Sequence, residues 1–265
     1  MLSERDHLAL ATQLGRLEAP DEVIEEILAS LHGSDSGLLL YGSRARGDAV
    51  ADSDWDFLAL TDDVRGSVHT GLLSLSFYST EQLGTGIGTL FGAHLARDGR
   101  VIWDKSGELA RSLQDMGAVD ARRLIGRVWA MSVVLGAPDR DLPRYLPGLL
   151  REARYLLRSC LYALAIERDE PCFSVRELAR RYEEPDYVRL LASRQDSPPA
   201  EADFHRCVSL LTDLVGPLVT NQHGSLEALI VNEWLGGGDV IAMAMMAIGA
   251  TGNDRDYIEV ERILL

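Results

Sequence analysis

The sequence predicts an α/β (α+β) domain over residues 1–110 followed by an all-helical domain over residues 111–265. Two observations carry this division. The first 110 residues hold short apolar runs of strand length, at 38–41, 54–60 and 72–78, each bounded by Gly, Ser or Asp. Beyond Ser106 apolar residues recur at helical spacing with little strand signal, and Pro or Gly punctuates them. At 265 residues, each part is long enough to bury a core of its own.

The elements follow in order. Residues 4–17 and 21–32 read as helices. In the second, Val23, Ile24, Ile27, Leu28 and Leu31 form one apolar stripe, and Gly33 stands at the C-cap position. The strand 38–41 runs into a turn at Gly42 and Ser43, then an Arg-rich helical turn that ends at Gly47. The strand 54–60 opens with the alternation Asp54-Trp55-Asp56-Phe57, so both aspartates share one face and both aromatics the other. A polar loop, 61–71, leads to the third strand, with Leu73, Leu75 and Phe77 on one face and Ser74, Ser76 and Tyr78 on the other. Ser79 and Gln82 spell a capping box.

The Gly84-Thr85-Gly86-Ile87-Gly88 run does not fit a dinucleotide loop, because Thr89 and Phe91 stand where the third glycine belongs; it is expected to be a turn. His94 is expected to be a helix-surface or half-buried residue rather than a ligand, having no partner at metal-ligand spacing. A short strand at 100–103 closes the first domain. Helical patterns then cover 108–116, 119–136, 147–167, 174–182, 186–194, 201–220, 225–235, 239–249 and 254–264. Breaks are expected at 136–138, Pro143, Pro147, Pro171, 197–199 and 236–238, with a second capping box at Ser174 and Glu177.

Two carboxylates side by side on a strand repel one another unless a cation sits between them. Hard oxygen donors of this kind suit Mg²⁺ (or Mn²⁺), which completes its shell with water and substrate phosphates. The Gly42-Ser43 turn ahead of a helix lets backbone N–H groups approach a phosphate closely. Together these point to a nucleoside-triphosphate site.

Gly42-Ser43, ten residues, then Asp54-Trp55-Asp56 resembles the signature of the DNA polymerase beta-type nucleotidyltransferase superfamily. More narrowly it is similar to the minimal bacterial nucleotidyltransferases, with the Gly-Ser-x-Ala-Arg-Gly-Asp variant at 42–48. The resemblance covers about residues 36–110. It implies a small mixed sheet flanked by helices, and Mg²⁺ held by Asp54 and Asp56, which are then also catalytic. It further implies a nucleoside triphosphate, ATP first, bound by Gly42 and Ser43 with help from Arg44 and Arg46. The reaction implied moves a nucleoside monophosphate to a hydroxyl. The chain departs from the pattern on the third strand: where active members bring a third carboxylate, Ser74 stands, and it joins the nucleotide-binding set only as a polar neighbour.

The helical domain resembles in layout the C-terminal domains of aminoglycoside nucleotidyltransferases. On its helix 147–167, Arg151, Arg154 and Arg158 share a face, and Arg154 and Arg158 are candidate triphosphate ligands. Glu152 is the candidate catalytic base in place of the missing carboxylate, ahead of Glu167. Glu81 is expected to serve a helix dipole, and Asp104 to lie at the sheet edge.

A formal net charge of −15 excludes a broad electrostatic grip on nucleic acid and suits a small hydroxylated or cationic acceptor, or a basic partner protein. The three cysteines lack metal or redox spacing and read as reduced thiols of a cytoplasmic protein. No signal-peptide pattern opens the sequence, and the apolar run 240–250 is too short to span a bilayer. That run, rich in methionine, is expected to be a buried helix or a homodimer contact. The competing reading is a catalytically degenerate nucleotide-binding or antitoxin-type module that acts by contact with a partner.

Overall fold

The computed structural model describes residues 2–63, 65–192, 198–236 and 238–249. The chain divides into two compact units, Met1–Val119 and Asp120–Leu265.

The first unit runs α1 (Glu4–Arg16), α2 (Asp21–Ser30), β1 (Asp35–Tyr41), α3 (Gly42–Arg46), β2 (Trp55–Thr61), β3 (Val68–Thr70), β4 (Leu73–Tyr78), α4 (Thr80–Gly84), α5 (Leu90–Asp98), β5 (Arg100–Asp104) and α6 (Glu108–Asp115). The strands form one mixed sheet in the order β3-β4-β2-β1-β5. Strands β2 and β4 are parallel, and the other pairs are antiparallel.

Period-2 alternation sorts the sheet into two cores. Leu38, Leu40, Trp55, Phe57, Leu73, Leu75 and Phe77 pack with Leu10, Leu14, Val23 and Ile27 of α1 and α2. Leu39, Leu58, Leu60 and Tyr78 face the other way, onto Leu83, Leu95, Leu109 and Met116. Burying each of the larger side chains contributes roughly 1.5–3 kcal/mol. Because Leu109 and Met116 complete the second face, the first unit ends at 119 rather than at 110.

Two local expectations are corrected. Gly33 does not cap α2: the helix stops at Leu31, whose extended backbone (φ −87°, ψ 140°) ends it first. The loop expected over 61–71 contains the edge strand β3, whose three residues are too few and too exposed to alternate legibly.

The second unit is helical throughout its described residues: α7 (Ala121–Met131), a 3₁₀ turn (Ser132–Leu135), α8 (Pro138–Glu167), α9 (Val175–Arg181), α10 (Asp186–Leu190), α11 (Glu201–Val215), α12 (Leu226–Glu233), a second 3₁₀ turn (Trp234–Gly236) and α13 (Asp239–Gly249). The helix expected at 254–264 lies outside the described residues. The breaks expected at Pro143 and Pro147 fall together at one residue between them. The stretch Pro138–Glu167 is two helical segments joined across a kink at Tyr145, whose φ −128° and ψ 22° are not helical. Each proline lacks an N–H and crowds the carbonyl four residues back, so the strain is relieved at the residue between. The Tyr145 hydroxyl then donates to Glu227 Oε1 of α12 at 2.6 Å.

Helix α8 carries the core, with Leu149, Leu150, Ala153, Leu156, Leu157, Cys160 and Leu161 buried. Helix α13 approaches it backbone to backbone, since a Cβ added at Gly148 would overlap the Ala247 carbonyl. This turns Met243, Ala244 and Ala247 inward and leaves Met245 half exposed, so α13 is not buried all round. Among the described residues, no helix is long and apolar enough to cross a membrane.

Candidate functional site

Strand β1 ends at Tyr41, and the chain turns at Gly42 in the left-handed region (φ +74°). Helix α3 then makes one turn and stops at Gly47 (φ 81°, ψ 17°), where the N–H groups of Gly47 and Asp48 both donate to the Ser43 carbonyl. The return loop is held by Arg44. Its Nη2 donates to the carbonyls of Ala51 (3.2 Å) and Ser53 (3.0 Å), and its guanidinium lies 5.0 Å from the centre of the Trp55 ring.

That loop delivers Asp54 and Asp56 to the start of β2. Asp56 pairs in register with Tyr41 on one side and with Ser74 on the other. Its carboxylate sits directly against the turn: a Cβ placed on Gly42 would overlap Oδ2 and lie 3.2 Å from Cγ. Glycine at position 42 is therefore required twice, by its backbone angle and by the carboxylate above it.

Ser74 stands beside Asp56 on the same sheet face, at 9% exposure, and the next residue of that face, Ser76, meets the Ser67 hydroxyl at 3.4 Å. No carboxylate enters from β4. Among the described residues, no three of His, Cys, Asp and Glu are grouped so as to hold a metal ion. The donor set is thus two aspartates, which fits a hard cation only where substrate oxygens and water complete the shell.

The other candidate residues are placed differently. Arg44 is committed to the 47–54 loop and to Trp55, which packs in the core opposite to the Asp56 face. Arg154 pairs with Asp203 at 3.6 Å, and Arg158 donates to the Leu191 carbonyl. As placed, both are engaged by groups of the second unit. Glu152 is fully buried on α8. Its Oε1 accepts from Arg151 Nε at 3.1 Å, and its Oε2 has no hydrogen-bond partner. Burial pushes its pKa up to about 7 against the opposing pull of Arg151. With no exposed surface, it offers no acceptor hydroxyl a place to bind as it stands. Glu81 is exposed in the first turn of α4, behind the expected Ser79–Gln82 capping box, which forms in full. Asp104 Oδ2 accepts from the Ala110 N–H at 2.9 Å near the start of α6.

The sequence did not reveal the surroundings of Arg46. From α3, its Nε donates to Asp48 Oδ1 (3.3 Å), and its Nη1 meets His94 Nε2 (3.0 Å) and Asp98 Oδ2 (3.3 Å) on α5. His94 is half-buried, the second of the two expected placements, and packs edge-on to Tyr41 with ring centres 6.0 Å apart. Burial, then Arg46 and Arg97, lower its pKa to about 3, so the ring is neutral. An arginine only donates, which makes His94 Nε2 the acceptor and places the ring proton on Nδ1. The available signal was the i, i+4 spacing of His94 and Asp98.

Residues 22–92 match the family model described as a nucleotidyltransferase domain. Among solved structures, the chain is similar to a nucleotidyltransferase-like protein from Exiguobacterium sibiricum 255-15. The identity is 14%, over 83% of this chain and 80% of that chain, with a TM-score of 0.31. A comparison with curated proteins gives no match.

Proposed function

Starting from a nucleotidyltransferase domain at residues 22–92, we propose that the protein moves a nucleoside monophosphate, AMP in the first instance, from a nucleoside triphosphate to a hydroxyl. The observation that carries this is the Asp56 carboxylate lying against the Gly42-Ser43 turn, with Asp54 two residues before it. Asp54 and Asp56 would hold Mg²⁺, which when bound neutralises phosphate charge and orients the triphosphate. The backbone N–H groups at the start of α3 and the Ser43 hydroxyl bind phosphate oxygens, because glycine keeps the turn open to close approach. The acceptor oxygen attacks the α-phosphorus in line, the bond to the leaving pyrophosphate breaks, and the hydroxyl proton passes to solvent or to a base. Strand β4 supplies no base, since Ser74 and Ser76 are uncharged at neutral pH.

The net charge of −15 favours a cationic acceptor, either a small hydroxylated amine or a basic partner protein. The described cysteines are free and buried, which suits a reducing compartment such as the cytoplasm. A second reading, a nucleotide-binding module that acts by contact without turnover, is favoured by one observation: the serine in register with Asp56. Incubation with α-labelled ATP, Mg²⁺ and a panel of hydroxylated amines and basic proteins separates the two. The enzyme releases pyrophosphate and labels an acceptor, and Asp56→Asn abolishes both. Tight Mg²⁺–ATP binding without pyrophosphate release would leave the contact module.

A further inference from the structure

Arg46 is bound by three groups and still has one amino group to spare. Asp48 takes Nε, while His94 and Asp98 take Nη1. Nη2 makes no hydrogen bond to a described residue, and it is not among the buried polar atoms without a partner, so it reaches solvent. Arg46 lies three residues after Ser43 on α3, which puts both on one side of that helical turn. Arg44 is turned to the other side, over Trp55. The side chain of Arg46 is only 16% exposed, so its guanidinium is fixed rather than waving in solvent.

We propose that His94 and Asp98 are positioning residues that hold Arg46 so that Nη2 receives a phosphate oxygen of the nucleotide seated at Gly42 and Ser43. This rests on reading that turn as the nucleotide site. The division of labour follows from chemistry. A third carboxylate in the place of His94 would hold the guanidinium by charge but compete with the phosphate for it. A neutral imidazole accepts a hydrogen bond without adding negative charge. His94 remains neutral over the working pH range because its pKa is about 3. Asp98 supplies the more buried of the two negative charges (6% side-chain exposure, against 32% for Asp48) and also meets Arg97 at 3.1 Å. A preorganised arginine loses little conformational freedom when the phosphate arrives.

The test uses the full chain with two readouts. The first is the ¹⁵N signal of the Arg46 guanidinium, assigned by its loss in Arg46→Lys. In the wild type it shows slow rotation; in His94→Leu it averages, and in His94→Gln, which keeps an acceptor, the slow rotation returns. The second is binding of Mg²⁺–ATP, Mg²⁺–GTP and tripolyphosphate. Removing one charge-assisted hydrogen bond through Arg46→Ala weakens all three about 10- to 100-fold, and His94→Leu weakens them about 3- to 10-fold with His94→Gln near wild type. Adenosine binding does not change. An unaltered Arg46 signal in His94→Leu overturns the positioning role. Equal nucleotide affinity in Arg46→Ala, while the wild type binds, overturns the phosphate role alone. A wild type that binds neither nucleotide nor tripolyphosphate overturns the reading of the turn itself, and this inference with it. Melting curves of both His94 variants show whether the fold is intact.

Discussion

Replacing Gly42 by alanine separates two costs that the structure places at one residue. The first is backbone strain, since φ is +74° and an L-side chain in that region costs about 1–2 kcal/mol. The second is contact, since the new methyl overlaps Asp56 Oδ2 and lies 3.2 Å from Cγ. To make room, the carboxylate must leave its rotamer or the turn must open, which adds roughly 1–3 kcal/mol. Gly47 provides the internal control. Its φ is +81°, but nothing lies within 4 Å of its added Cβ, so Gly47→Ala incurs only the first cost. By calorimetric melting of the full chain, Gly42→Ala should lower the Tm of the first unit by roughly 5–10 °C more than Gly47→Ala. Equal losses in the two variants would mean that Asp56 does not sit against the turn, and the geometry of the site would be wrong.

Two further outcomes are expected. Ser74→Asp sets a third carboxylate in register with Asp56; stability should fall by about 1 kcal/mol without divalent cation and recover with Mg²⁺, and a melt insensitive to Mg²⁺ would count against a metal site there. Glu152 titrates near 7 when folded instead of 4.5, so the folded chain keeps a proton that the unfolded chain releases, and stability is lost as pH rises through that interval. Between about pH 4 and pH 8, Glu152→Gln should remove up to about 3 kcal/mol of that slope in denaturant titrations, and an unchanged slope would place Glu152 in water.

The parts of this protein that could be read from sequence are those with a period or a fixed spacing. The alternation from Asp54 to Phe57, and that from Leu73 to Tyr78, put the right residues on the right faces because a strand permits no other arrangement. The Ser79–Gln82 box is local for the same reason. Side-chain partners distant in the chain were not legible. Arg46 finds His94 forty-eight residues later, and Arg154 finds Asp203, through packing of helices that no periodicity specifies. The acidic and carbonyl partners of Arg154 and Arg158 on the helix 147–167 were likewise out of sight in the sequence. Glu152 misled as well. It reads in the sequence as a candidate catalytic base, and only the packed unit shows it fully buried.

Calorimetric titration of ATP decides whether Asp54, Asp56 and the Gly42-Ser43 turn form one Mg²⁺-dependent nucleotide site. Wild-type protein should bind ATP with Mg²⁺ present and at least about 10-fold more weakly in excess chelator, as expected when a cation bridges two carboxylates and the triphosphate. Asp56→Asn should bind weakly in both conditions and show no response to the metal. Equal affinity with and without Mg²⁺ in the wild type, or an Asp56→Asn chain that keeps the full metal response, would contradict the account.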